Sequence, residues 1–454
     1  MPNLPLAFVE RMKALLGQDF KAFMDSFDAP VGRSFHLNRA LISPEVFESA
    51  ADFALERLPI FPGAYRTEAE GLGRHPFHHA GLYYVQEPSA MCVAAAVEIG
   101  KDWRMLDLCA APGGKSSQLA MMAPEGLLVA NDPVMSRCRI LTQNIERMGY
   151  PKVITACLDV SAFSKTCPGY FDLTLVDAPC SGEGMFRKDE GAVAEWSPAL
   201  VAMCAERQRG ILSHAKETVR RGGYLLYSTC TWSMEENELN VARFLRDNPD
   251  FELAPCRQEI VRLSSPGLVA PGCEGIDTGL MRRFYPFGPL GGEGQFVALM
   301  RRRGGGERPR EQRREREKLS AAERKIVGDF LRDAFIGLDE GAVFRRGEAL
   351  CLFDPDFSPA FPMFSCGVML GSIEKGRLKP AHQLFSALGR KAKRRIDLPL
   401  NDPRLAAYLK GETFPAEDMP EGWAAVLVCG APLGGVKIVS GTAKNHYPKG
   451  LRSL

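Results

Sequence analysis

No apolar run in this chain approaches the ~18 residues that a membrane-spanning helix needs, so no stretch reads as a transmembrane segment. The opening residues are broken by Glu10, Arg11 and Lys13. The apolar centre of a secretory signal does not tolerate such charges, so a cytoplasmic protein is expected. Strong charge is missing too. A net charge of +2 over 454 residues excludes a polycation, and any nucleic-acid surface must come from local asymmetry. The thirteen cysteines form no C-x-x-C pair and no Cys/His zinc spacing. Most, like Cys157, Cys351 and Cys429, end or follow apolar runs and are expected to be buried small hydrophobes. His75, His78 and His79 lie close together without a cysteine or carboxylate at ligand spacing, so no metal is expected.

What is present is ordinary in bulk. Hydrophobic content of 45% and charged content of 25% are those of a globular protein. At ~100–200 residues per domain, the length implies two to four domains. The informative stretch runs from Asp172 to Gly184: an apolar run ending in Asp177, a proline, Cys180 and a glycine-rich turn. Such a run reads as a strand buried on both faces. Chemistry just past its end sits where open α/β sheets bind ligands.

A second strand–turn–helix pattern covers Asp107, Cys109, Ala110, Ala111, Pro112, Gly113, Gly114 and Lys115. It is no Walker A loop, because Cys109 stands at the first glycine position. It is no dinucleotide fingerprint, because G-x-G-x-x-G is absent. The remaining reading is an S-adenosylmethionine loop, in which small residues let the backbone approach the methionine part of the cofactor. Two later strand ends support it. Asp132 is placed to bond ribose hydroxyls and Asp159 to reach the adenine amino group.

Alternating strands and helices predict an α/β fold with a doubly wound sheet. In the common strand order 3-2-1-4-5 the fourth and fifth strands are neighbours, so Cys180 and Cys230 emerge side by side. Strands over 281–286 and 295–300 are expected to close the sheet. Ser233 and Glu236 read as an S-x-x-E capping box for a helix over 234–247, which would favour a thiolate at Cys230 just before it. The domain reading is a first, helical unit over 1–100, an α/β core over 101–303, an exposed linker over 304–318 and a separate unit over 319–454. Lys391, Lys393, Arg394, Arg395 and the tail from Lys444 to Arg452 are candidate phosphate contacts.

Two cysteines, an acid and a methyl donor suit a pyrimidine. Thiolate addition at carbon 6 makes carbon 5 nucleophilic, and after methyl transfer a base removes the carbon 5 proton and the thiol leaves. The target base must leave its stack to reach such a pocket.

The segments from Asp107 to Lys115, from Asp177 to Gly184, and from Tyr227 to Thr231 with Glu235, Glu236 and Asn237 resemble the RNA 5-methylcytosine methyltransferases of the NSUN/RsmF type. Arg283 to Pro286, Gly292 to Gly294 and Asn445 to Gly450 make the chain similar to the bacterial RsmF-type ribosomal RNA enzymes. The resemblance implies a Rossmann-like methyltransferase core, a small N-terminal domain and a PUA-like α+β carboxyl-terminal RNA-binding domain. It implies that Cys230 is the nucleophile on carbon 6, that Cys180 helps the adduct break down, and that Asp177 contacts the cytosine and lies by the cofactor. Cys109 to Lys115, Asp132 and Asp159 would hold S-adenosylmethionine, and Arg187 and Lys188 would contact RNA. Phe287 departs from the histidine expected after Tyr-Pro. The implied partner is ribosomal RNA or the small ribosomal subunit, with no membrane, for a chain acting as a monomer in rRNA processing. Transfer RNA as substrate, a noncatalytic assembly factor and a small-molecule methyltransferase are the rivals.

Overall fold

Short apolar runs bounded by glycine, proline and polar residues become the strands of one central sheet, because each is apolar on both sides of the pleat. The computed structural model of the protein describes residues 4–30, 32–306, 317–338, 340–353 and 359–452. Its central strands are β1 (Arg104–Asp107), β2 (Leu127–Asn131), β3 (Val153–Ala156), β4 (Phe171–Asp177), β5 (Val219–Thr229) and β6 (Gln295–Arg302). They lie in the order β3-β2-β1-β4-β5-β6. All are parallel except β6, which runs antiparallel to β5. The doubly wound sheet and its strand order are therefore as the alternation of elements predicts.

Four helices, α1 (Gly114–Met122), α2 (Met135–Met148), α3 (Pro198–Thr218) and α4 (Glu238–Asp247), are among those that cover this sheet. Successive strand residues enter opposite apolar clusters. Met105, Leu128 and Leu173 join one with Val93 and Leu119. Leu106, Val129 and Val176 join the other with Phe163 and Leu212. Each large side chain so buried is worth roughly 1.5–3 kcal/mol relative to exposure. The sheet edge and its loops are held by these two layers.

Three departures from the sequence reading have physical causes. First, the N-terminal unit holds a four-stranded antiparallel sheet besides its helices, with Arg33–Leu37 between Ala64–Thr67 and Tyr83–Val85. Arg33–Leu37 shows an exposed residue followed by four buried ones, so no alternation betrays it. Second, Ser365–Cys366 leaves the C-terminal unit and pairs antiparallel with β3, extending the central sheet. Third, α4 begins at Glu238 rather than near 234, and its N-cap makes no side-chain hydrogen bond. Ser233 and Glu236 bond to the neighbouring loop instead. Cys230 therefore does not stand immediately before a helix N-terminus. Of the expected linker over 304–318, residues 307–316 lie outside the described residues.

The C-terminal unit contains the expected helix Ala321–Ala334, which carries a Ser320–Glu323 capping box. It ends in a five-stranded sheet that includes Gly422–Val428 and Ala431–Val439. Among the described residues, no helix is long and apolar enough to cross a membrane. Cys351 is buried as expected, whereas Cys157 and Cys429 are only partly so.

Candidate active site

Parallel strands that end level deliver their following loops to one place. Asp177 of β4 stands opposite Ser228 of β5. The Ala178 N–H donates to the Ser228 carbonyl and the Gly184 N–H to the Cys230 carbonyl, each at 2.8 Å. Cys180 and Cys230 consequently face each other with sulfurs 3.2 Å apart. The hydrogen bond with Cys230 first, and burial second, push the Cys180 thiol well above its ordinary range.

Lys115, in the first turn of α1, reaches Asp177 with Nζ 2.8 Å from Oδ2. Burial alone would lower the Lys115 pKa, but the charge and hydrogen bond of Asp177 outweigh it and raise it. The Gln295 amide donates to Asp177 Oδ1 at 3.3 Å and also to the Ser228 hydroxyl. Gln295, at the start of β6, was not singled out in the sequence; the Gly292 to Gly294 segment before it was the available signal.

The loop over 109–113 ends at Gly113, the N-cap of α1, whose φ of +117° only glycine adopts without strain. The N-terminal unit closes over this loop. A Cβ on Gly114 would lie 3.1 Å from Tyr84 Cε1 and from Gln86 Nε2. Asp107 is fully buried and accepts from Ser116 Oγ at 2.6 Å, and burial pushes its pKa up to about 7. Burial likewise raises the Cys109 thiol.

Asp132 and Asp159 follow β2 and β3 at the same sheet edge. Each also does local backbone work. Asp132 accepts from the Val134 N–H at 3.0 Å and pairs with Arg137 at 3.3 Å. Asp159 is exposed and accepts from the Ser161 N–H at 3.0 Å; the Ser161 hydroxyl first, and this N–H second, lower its pKa.

Arg187 is turned inward. Its side chain is 4% exposed, bonds the Ala29 carbonyl at 2.8 Å and lies 3.7 Å from Glu293. Lys188 is exposed, with Nζ 3.2 Å from the same carboxylate. Of the C-terminal basic residues, Arg394 pairs with Asp333 at 2.8 Å, while Lys391, Arg395 and Lys444 are exposed.

Helices Leu6–Leu16 and Phe20–Asp25 pack aromatic side chains against the two cysteine-bearing loops. Phe8 meets Phe186 at 4.9 Å, and Phe23 meets Trp232 at 4.9 Å between ring centroids. Phe287 belongs to this aromatic group, stacked on Tyr285 at 5.2 Å. The clustered histidines serve structure: His75 accepts from the Phe77 N–H, and His79 meets the Tyr447 hydroxyl at 2.9 Å.

Residues 94–301 match the family model of 16S rRNA methyltransferase RsmB/F. Residues 4–88 match the N-terminal domain of 16S rRNA methyltransferase RsmF, and residues 395–453 the RsmF PUA domain. The chain is 31% identical to ribosomal RNA small subunit methyltransferase F of Vibrio parahaemolyticus, over 99% of this chain and 98% of that protein. It is 30% identical to the same enzyme of Erwinia tasmaniensis, over 98% and 96%. Among solved structures, a methyltransferase homologue from Pyrococcus horikoshii is 28% identical with a TM-score of 0.58, covering 66% of this chain and 96% of that one. NSun6 from Pyrococcus horikoshii, solved with SFG, shares the fold at 22% identity and a TM-score of 0.57, over 67% and 100%.

Proposed function

The chain belongs to the RsmB/F family of 16S rRNA methyltransferases, and we propose that it is an S-adenosylmethionine-dependent RNA cytosine-5 methyltransferase of small-subunit ribosomal RNA. The observation that carries this reading is the pair of sulfurs 3.2 Å apart, from Cys180 and Cys230, beside the Lys115–Asp177 ion pair. A methyltransferase acting on a nitrogen or oxygen needs no thiol pair; carbon 5 of a pyrimidine needs a nucleophile at carbon 6 first.

The residues present suit the cofactor. Gly113 leaves the turn into α1 without a side chain at an N-terminus that favours a carboxylate. Asp132 and Asp159 stand at the next two strand ends for the ribose and adenine. Cys109, Ala110, Ala111, Pro112, Gly114 and Lys115 complete the cradle. S-adenosylmethionine bound there supplies an electrophilic methyl group.

The chain's own groups then divide the work. Cys230 adds through sulfur to carbon 6 while its thiol proton passes by way of the Asp177 carboxylate to N3, so that the ring's electron pair makes carbon 5 nucleophilic. Asp177, fixed by Lys115 and Gln295, bonds the cytosine at N3 and N4. The hydrogen bond to Cys230 first, and burial second, hold the Cys180 pKa high. Once the Cys230 sulfur is bonded to the base, the first of these causes is removed. This is the step at which a base must take the carbon 5 proton so that the carbon 6–sulfur bond can break and the ring double bond reform. Lys188 is proposed as a contact to RNA; Arg187 serves only if the Ala29 and Glu293 contacts give way. Residues 101–303 are assigned to catalysis, 1–100 and 319–454 to RNA binding, and 304–318 to the linker.

The test incubates wild type, Cys230→Ala and Cys180→Ala with labelled S-adenosylmethionine and ribosomal RNA from cells lacking the enzyme. Wild type labels cytosine carbon 5, Cys230→Ala does not, and Cys180→Ala leaves a protein–RNA adduct on a denaturing gel. Carbon 5 methylation by Cys230→Ala overturns the assigned nucleophile. Labelling of transfer RNA alone moves the substrate.

A further inference from the structure

The two cysteine-bearing loops are tied together by two buried carboxylates that cross in opposite directions. Glu183 belongs to the loop after β4 and reaches into the loop after β5. Its Oε2 accepts from the Trp232 N–H at 2.7 Å, and its Oε1 from Ser233 Oγ at 2.6 Å and from Trp196 Nε1 at 3.0 Å. Glu236 belongs to the loop after β5 and reaches back. Its Oε1 accepts from Ser181 Oγ at 2.5 Å, and its Oε2 from the Ser181 N–H at 3.0 Å and Gln208 Nε2 at 2.7 Å. The hydroxyls of Ser181 and Thr231 meet between them at 2.9 Å.

Ser181 directly follows Cys180, and Thr231 directly follows Cys230. The clamp therefore grips each chain one residue beyond its sulfur. Glu183 is 1% exposed and Glu236 fully buried. Carboxylates are costly in such places unless hydrogen bonds satisfy them, and each here takes three. Apolar packing would only keep the loops near each other. Hydrogen bonds to fixed donors set direction and distance as well.

We propose that Glu183 and Glu236 are positioning residues: a reciprocal carboxylate clamp that sets the separation of Cys180 and Cys230 and thereby couples attack to release. The coupling rests on the two-cysteine mechanism proposed above; the separation does not. Neither carboxylate needs to touch the substrate. A Gln at Glu183 puts an NH2 against an N–H donor in either orientation, Trp232 or Trp196, whereas at Glu236 the NH2 can turn to Ser181 Oγ and reverse that bond, so the clamp loosens with the side-chain shape kept and the larger effect is expected at Glu183.

The experiment has one readout that needs no RNA. Wild type, Glu183→Gln, Glu236→Gln and Ser181→Ala are treated with diamide, which takes two thiol hydrogens to become a hydrazine while a disulfide forms. The rate of the Cys180–Cys230 disulfide is followed by peptide mapping. Thermal unfolding is recorded for each variant. The expected result is a fall of roughly tenfold or more in that rate, within the ~100-fold that an ångström-sized misplacement can cost. In parallel, covalent RNA adduct accumulates during turnover, with an unchanged KM for S-adenosylmethionine. Should a Gln variant fail to fold, Ser181→Ala, which removes the hydroxyl that bonds Glu236 and Thr231 but keeps both carboxylates, carries the same expectation in smaller measure. Folded variants that oxidise at the wild-type rate and release RNA normally overturn the clamp. A wild type that methylates no RNA, with variants that still change the disulfide rate, overturns the functional reading and leaves the clamp standing.

Discussion

The Nζ of Lys115 lies 2.8 Å from Oδ2 of Asp177, so one ion pair joins the loop after β1 to the end of β4. Lys115 is the more buried partner, 12% exposed against 29%. Removing Asp177 strands a buried cation, whereas removing Lys115 leaves a carboxylate that water can reach. Asp177→Asn is expected to lower the melting temperature more than Lys115→Met does. Both substitutions should lower kcat on RNA by about 100-fold or more, as loss of an oriented polar group does. Parallel thermal unfolding and single-turnover methylation check this order.

Arg283 on the strand Arg282–Phe284 meets Glu238, at the start of α4, with Nε–Oε1 at 2.6 Å and Nη2–Oε2 at 2.5 Å. Both side chains are at most 1% exposed. Breaking such a pair from one side costs about 3–5 kcal/mol, because the other charge is left buried and alone. Arg283→Met is therefore expected to destabilise strongly. Arg283→Lys should rescue little, since an ammonium cannot reproduce the two-pronged contact. Urea unfolding of both variants is the measurement.

Gly294 has a φ of +110°, and a Cβ there would fall 2.5 Å from Cζ2 of Trp232. The ring cannot retreat, because Phe8 and Phe23 pack on it. Gly294→Ala is expected to cost ~1–3 kcal/mol through overpacking, on top of the strained backbone. It should also slow methylation by moving Gln295 off Asp177. An enzyme as stable and active as wild type would show that the loop has room.

Burial pushes Asp107, Glu146 and Glu236 up to about 7. For Glu146, both states are protonated below pH 4.5; between 4.5 and about 7 only the unfolded chain ionises; above that both do. Stability is thus greatest on the acid side of this window, falls as pH rises through it, and levels off above about 7. Glu146→Gln is expected to flatten this fall in melting temperature between pH 5 and 8. A decline as steep as in wild type would mean that Glu146 does not carry its share.

Much of the site was legible in the sequence, because strand alternation and the handedness of crossovers leave few sheet orders. Once β4 and β5 are neighbours, Cys180 and Cys230 must meet. The failures came where a local signal was used for a distant partner. Ser233 and Glu236 have the spacing of a capping box but bond across to Glu183 and Ser181. Arg33–Leu37 is a strand only because Ala64–Thr67 and Tyr83–Val85 pair with it. Non-local pairing leaves no periodicity to read.

Phe35, Tyr65 and Tyr83 of the N-terminal sheet lie in one apolar cluster with Leu398, Tyr408, Val426 and Tyr447 of the C-terminal unit. The two ends of the chain thus complete a single core around the catalytic domain. During synthesis at ~5–20 residues per second, the first of these faces leaves the ribosome on the order of tens of seconds before the second. For that interval the nascent N-terminal sheet has no cover for its aromatic side. A chain ending at residue 394 would leave that side bare even though every strand of its central sheet, Ser365–Cys366 included, is present.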